Sequence, residues 1–241
     1  SMGTAEEKLG KLIEAARILG SPLVRCFLGT AQDRKSDGGI YRHIESTVKV
    51  LKAVRARAQD ANVKSAVENH AGDKQGWELR GLIEEAGKDF VGAVIDSGNA
   101  TWTLEDPLIT LEVLAPYCLT TGVRDSAVWR VPEGIAVQWV RMGEGNVGIK
   151  EWSERFFELC PGKTFALEII VLPPRVFPIL DAAFWRGYER LRAHEFARFL
   201  ALAEKGSRRA EAPKPTPEQA KAEERAHLEA SVRYCHDVLG L

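Results

Sequence analysis

Several short stretches of the chain set an acidic side chain after a run of apolar or small residues: Ala66-Val67-Glu68, Ala93-Val94-Ile95-Asp96, Gly122-Val123-Arg124-Asp125 and Phe165-Ala166-Leu167-Glu168. Taken singly, each has a bland explanation. A glutamate after a strand is ordinarily a cap or a solvated loop charge, and an aspartate before Ser-Gly-Asn is ordinarily a turn former. The succession is less ordinary. If the strands deliver Glu68, Asp96 and Glu168 to one mouth, three carboxylates repel one another, and a divalent cation relieves that repulsion. Ligation by oxygen alone suits Mg2+ or Mn2+.

Other residues near these positions could touch a ligand. Arg25 ends the first apolar run and suits a hydroxyl or carboxylate, or simply a surface ion pair. His70 follows Glu68 closely and either orients it or is a solvated histidine. Trp102 and Trp139 have apolar faces that stack on a sugar ring or fill a core. Glu144 lies in a Gly-Glu-Gly loop long enough to cover a mouth.

The elements that must position these residues alternate along the chain. Residues 5–19 have helical spacing ended by Gly20, and Leu23 to Leu28 reads as a strand. Helix follows over 40–58, strand over 63–67, helix over 75–86 and strand over 91–95. Asp106-Pro107 starts another helix, with a strand over 118–123 beyond it. Val128-Trp129 and Ala136 to Val140, with Pro132-Glu133-Gly134 between them, predict a small hairpin that serves as a lid or an oligomer contact. Helix is expected over 149–159, strand over 165–171, and a long helix from about Ile179 to Lys205. A Pro-rich charged linker, Arg208 to Pro217, leads to a last amphipathic helix over 217–239. The expected organisation is therefore a domain over 4–205, with 206–241 as linker and a helix that packs on it or on a neighbouring subunit. Ser1-Met2-Gly3 reads as an expression remnant.

Strand alternating with helix argues for a parallel sheet, open or closed into a barrel. No G-x-G-x-x-G follows any strand, whereas acidic residues gather at strand C-termini, where barrel enzymes build their sites. A TIM-type (β/α) barrel is the expected fold. The chain opens with a helix and offers about five clear strands, so the barrel is expected to be incomplete, without its first two strands. An open sheet edge is a liability, so the C-terminal helix or a second subunit is expected to cover the gap, making a homo-oligomer a possible state.

Composition excludes some partners. Among 241 residues, Lys plus Arg number 33 and Asp plus Glu 34, a formal net charge of −1. Nothing in that balance calls for nucleic acid or an anionic membrane. No apolar run reaches the roughly 20 residues of a membrane span. The four cysteines lack C-x-x-C spacing and read as reduced thiols of a reducing, cytoplasmic compartment.

Val-Glu-Asn-His-Ala-Gly-Asp (67–73), Ile-Asp-Ser-Gly-Asn (95–99), Val-Arg-Asp-Ser (123–126), Met-Gly-Glu-Gly-Asn-Val (142–147) and Leu-Glu-Ile-Ile (167–170), in that order, resemble consecutive motifs of the xylose isomerase-like sugar isomerase and epimerase family. The resemblance implies a metal held from four strands, with Glu68, Asp96 and Glu168 in three places and Glu68 and Glu168 doubling as acid and base. The fourth place, a histidine in the family, is Gly122 here, and Arg124-Asp125 replaces Lys-Asp; Arg124 is a candidate substrate contact, and these two are otherwise expected to pair with one another or support the strand end. Asn99 stands where a second histidine is frequent and keeps a hydrogen bond to substrate. With Gly122 giving no ligand atom, Mn2+ or Mg2+ is expected to bind weakly or not at all, zinc less readily still, and Gly122→His to strengthen binding. The implied reaction is proton transfer next to a carbonyl through an enediolate, on a small sugar or sugar derivative. Two alternatives stay open: a catalytically weakened sugar-binding or partner protein of the same fold, and a lyase that eliminates from keto-glycosides.

Overall fold

The computed structural model describes residues 3–210 and 215–241. The linker expected over 208–217 and the remnant expected over 1–3 therefore lie partly outside the described residues. Helix α1 (Ala5–Leu19) begins with a capping box between Thr4 and Glu7 and stops at Gly20 in the left-handed conformation. It packs on α2 (Gly39–Asp60), whose Val48, Leu51, Val54 and Ala58 face inward at helical spacing. Between them runs β1 (Leu23–Cys26). Then come β2 (Lys64–Glu68), α3 (Gly76–Ala86) and β3 (Val91–Asp96), followed by the short α4 (Ser97–Thr101), α5 (Pro107–Leu114) and β4 (Cys118–Gly122).

The four strands form one parallel sheet in the order β1-β2-β3-β4. Val67, Ala93 and Ile95 join the helices in the main core. Strand alternation then sends Glu68, Asp96 and Gly122 to the opposite face. Glu68 is level with Val94, and Asp96 with Gly122, so successive strands step the acidic positions along the sheet. This is part of a TIM barrel rather than a closed one, as the short chain and its strand count led us to expect.

Two expected elements are replaced. Residues 165–171 do not form a full strand; one parallel bridge, Val123 to Leu167, extends the sheet beyond β4. The expected helix from Ile179 is shorter and later. In its place the chain makes β7 (Arg175–Phe177), a 3-10 turn over Ala182–Trp185, and only then α7 (Ala193–Lys205). Pro178 deprives the backbone of a donor, and Phe177, Phe184 and Tyr188 are spaced to fill a second core rather than to line one helix.

That second core lies under the predicted hairpin, β5 (Asp125–Val131) and β6 (Gly134–Val140), which β7 extends to three antiparallel strands. Leu104, Val128, Ile135, Val137, Phe177, Phe184 and Phe199 fill it. Asn146 ties the hairpin to α7: its Oδ1 accepts from Val128 N at 2.7 Å, and its Nδ2 donates to Val128 O at 3.0 Å and Leu202 O at 2.9 Å. Asn146→Ala should cost about 1–2 kcal/mol in urea unfolding, the scale of part-buried amide bonds left unpaired.

Helix α6 (Ile149–Leu159) contributes the buried Trp152 and Phe156 to the main core. Helix α8 (Pro217–Leu239) packs on α6, with Ser231 Oγ accepting from Met142 N at 3.2 Å. Its contacts run to α6 and to Met142, and among the strands β1 pairs with β2 alone. Its partly buried Tyr234 and Leu239 and buried Cys235 find their core beside α6. No helix among the described residues is long and apolar enough to cross a membrane, and the four cysteines are free.

Candidate active site

Glu68, Asp96 and Glu168 meet at the C-terminal end of the parallel sheet, with one carboxylate oxygen of each lying within 4.8 Å of the others. Glu68 and Asp96 are fully buried, while the Glu168 side chain is 28% exposed. Glu68 reaches this place as the last residue of β2, and Asp96 as the last of β3, where it also caps α4 by accepting from Asn99 N at 2.8 Å. Glu168 is held by its backbone, N–H to Val123 O at 3.0 Å, next to the one bridge beyond β4.

Two guanidinium groups interleave with the carboxylates. Arg124 Nη2 lies 2.5 Å from Asp96 Oδ2 and 2.9 Å from Glu168 Oε1. Arg25 Nε donates to Glu68 Oε2, and its Nη2 lies 3.5 Å from Glu168 Oε2. Asn99 Nδ2 donates to Glu68 Oε1 at 3.1 Å, a protein partner where a substrate was expected. Burial pushes the Asp96 carboxyl up to about 6, against the pull of Arg124.

Arg124 and Asp125 do not pair with one another. Asp125 supports the strand end alone, its carboxylate gathering the backbone N–H groups of Ser126, Gly143 and Gly145 at 2.7–3.0 Å. Arg124, adjacent in sequence, points to the opposite side. Its guanidinium lies 4.1 Å from the Trp139 ring centre. Trp139 stacks on Trp102 at 4.3 Å, and Arg175 lies 4.5 Å from the Trp102 ring centre. Each indole thus has an indole on one face and a guanidinium on the other, which leaves Trp102 no free face for a sugar. His70 is also turned away from Glu68: its Nδ1 pairs with Gly29 O at 2.7 Å and its ring stacks on Phe27. Glu144 is ion-paired with Arg209 at 3.3 Å.

The spacing of the three carboxylates could serve one divalent ion, but their surroundings do not fit a resident one. Each of the six carboxylate oxygens already accepts from, or faces, a guanidinium or an Asn99 N–H. Gly122 supplies no donor at the fourth place. Arg124 was legible in the sequence as a strand-end cation; that it would reach across to Asp96 was not, because the reach depends on Gly98 lying beneath its stem.

Comparison with known proteins agrees with this architecture. A D-tagatose 3-epimerase-like protein superposes with a TM-score of 0.54 at 20% identity, covering 67% of this chain and 60% of that one. A xylose isomerase domain protein from Planctomyces limnophilus gives 0.53 at 17%, covering 68% and 58%. A xylose isomerase-like TIM barrel protein from Mycobacterium smegmatis, in complex with magnesium, gives 0.50 at 14%, covering 84% and 69%. The chain thus spans less than two thirds of the length of the first two. No curated protein matches it. Residues 4–174 match the family described as "Xylose isomerase-like TIM barrel", and the chain belongs to that family.

Proposed function

We propose that the protein acts on a small keto sugar or sugar derivative by moving a proton at the carbon next to the carbonyl, as an isomerase or epimerase. The observation that carries this reading is the pair Glu68 and Glu168, brought to one end of the sheet with a half-exposed guanidinium, Arg25, between them. In this reading Arg25 donates to the substrate carbonyl oxygen and meets the charge that builds there as the enediolate forms. Glu168, the exposed member, removes the carbon-bound proton. Glu68, oriented by Asn99 and Arg25, is the second carboxylate: it takes the proton of the hydroxyl next to the carbonyl and passes it to the carbonyl oxygen, while Glu168 gives the proton it removed back to carbon. Return to the neighbouring carbon isomerises; return to the other face of the same carbon epimerises.

Incubation of keto pentoses and hexoses in deuterated water tests the reaction directly. Deuterium should enter the carbon next to the carbonyl, and Glu168→Gln should slow its entry about 10²-fold or more, the usual scale for loss of a general base. Sugars that bind without exchange would favour a sugar-binding protein of the same fold. That second reading draws on the complete burial of Glu68 and the engagement of both its oxygens.

A further inference from the structure

We infer that the two guanidinium groups of Arg124 and Arg25 stand in place of a divalent cation, so that this site is completed by the protein's own side chains and holds no resident metal. The charge balance is the first argument. Three carboxylates and one dication sum to the same formal charge as three carboxylates and two guanidiniums. Here both guanidiniums are on the carboxylates, Arg124 bridging Asp96 and Glu168, and Arg25 bridging Glu68 and Glu168. Arg25 bridges with two nitrogens of its planar fork, Nε and Nη2, whereas Arg124 bridges through Nη2 alone, with its Nε and Nη1 buried and without a hydrogen-bond partner.

The second argument is that the surroundings are built for Arg124. Its side chain is 2% exposed. Its backbone N–H donates to Ser97 Oγ at 3.0 Å, and its carbonyl accepts from the same hydroxyl at 2.6 Å. Trp139 lies under the guanidinium. A Cβ at Gly98 would fall 2.2 Å from Arg124 Cγ and 2.4 Å from Cδ, so the absence of a side chain there is what gives the arginine stem its path. Ser97, Gly98 and Trp139 together hold this arginine in one place, as a cradle would hold an ion.

The third argument concerns the vacant donor position. A Cβ at Gly122 would lie 2.8 Å from Glu168 Oε2 and 3.3 Å from Asp96 Oδ2. A side chain at 122 therefore projects into the carboxylates, which is where a fourth ligand would have to stand. Glycine lets the Glu168 carboxylate occupy that space, so a side chain at 122 must displace it, and the guanidinium of Arg124 already neutralises the same two carboxylates. The expectation that Gly122→His strengthens metal binding is accordingly refined: the imidazole arrives at a centre whose positive charge is already present.

This inference concerns what holds the carboxylates together, and it stands whether or not the reaction proposed above is the right one. Metal titration reads the first and deuterium exchange the second. Mn2+ is titrated calorimetrically into the unaltered protein, Gly122→His, Arg124→Met and the double variant, with thermal unfolding recorded in EDTA and in excess Mn2+. The unaltered protein and Gly122→His should show no binding below millimolar Mn2+, and EDTA should not move the unfolding midpoint. Arg124→Met combined with Gly122→His should bind Mn2+ at least ten-fold more tightly than either of those, and Mn2+ should raise its midpoint. Micromolar binding by the unaltered protein, or a midpoint lowered by EDTA, overturns the inference. If the Arg124 variants fail to fold, the unaltered protein and Gly122→His still decide it, since tight binding by either means that Arg124 does not hold the cation's place.

Discussion

Replacing Arg34 with methionine should lower the free energy of unfolding by about 3–5 kcal/mol, the scale for stranding one member of a buried ion pair. Arg34 and Glu78 are 2% and 4% exposed and bonded to each other. Arg34 Nη1 also donates to Gly187 O at 2.8 Å, and its guanidinium lies 4.5 Å from the Tyr188 ring centre. One side chain thereby joins the turn after β1, the start of α3 and the segment ahead of α7. Methionine keeps much of the stem but leaves Glu78 buried with only Tyr41 Oη at 3.3 Å and the Gln75 N–H at 2.8 Å as donors. Adding Glu78→Gln removes the stranded charge while keeping an acceptor for Gln75, and should recover a large part of the loss. Urea unfolding of the two single variants and the double variant measures this. A loss below about 1 kcal/mol for Arg34→Met, the level of an exposed pair, would show that the pair is not buried in solution.

Glu105→Gln should stabilise the protein above neutral pH, by about 1–3 kcal/mol, with little effect in acid. Glu105 is 1% exposed, and burial raises its carboxyl from 4.5 to about 7. Its Oε2 accepts from Thr110 Oγ1 and, at 2.9 Å, from Gly76 N, while Oε1 has no partner. The folded state therefore binds this proton more tightly than the unfolded chain. Its contribution is fully present below the unfolded value and is lost as pH rises from about 4.5 to about 7. Glutamine is close in shape to the protonated acid and keeps the acceptor, so its variant lacks that loss. Stability measured at pH 5 and pH 8 gives the difference. An unchanged pH dependence in the variant would mean that Glu105 ionises freely in the folded protein.

The strand-helix rhythm was legible because each strand is a short apolar run and each helix carries a period of 3.6. The convergence of Glu68, Asp96 and Glu168 was legible for the same reason: parallel strands put their C-terminal ends on one side. What was not legible depends on contacts between distant segments. Residues 175–191 have the composition of a helix lead-in, yet Phe177, Phe184 and Tyr188 are drawn into a core made by β5 and β6. Leu104 takes a left-handed backbone, φ 60°, that no local pattern asks for, and its side chain is fully buried in that core. Trp102 and Trp139, 37 positions apart in number alone, become a stack clamped by Arg124 and Arg175 only when the hairpin folds over α4.

Strand β1 is hydrogen-bonded along one side only, to β2. Backbone bonds on such a strand open at a fraction of the global unfolding free energy, because few neighbours must move with them. Arg25 is carried by this strand, with 45% of its side chain exposed, whereas Arg124 is enclosed by groups of the sheet interior and the hairpin. Local fraying of β1 would therefore withdraw one guanidinium and leave the other in place. The two arginines differ in how long they stay put, and amide hydrogen exchange should be fastest at Val24 and Arg25 and slowest along β3, whose six residues are all buried. The ion pairs of Arg25 with Glu68 and Glu168 then last only as long as the strand edge stays closed, while the pair of Arg124 with Asp96 is untouched.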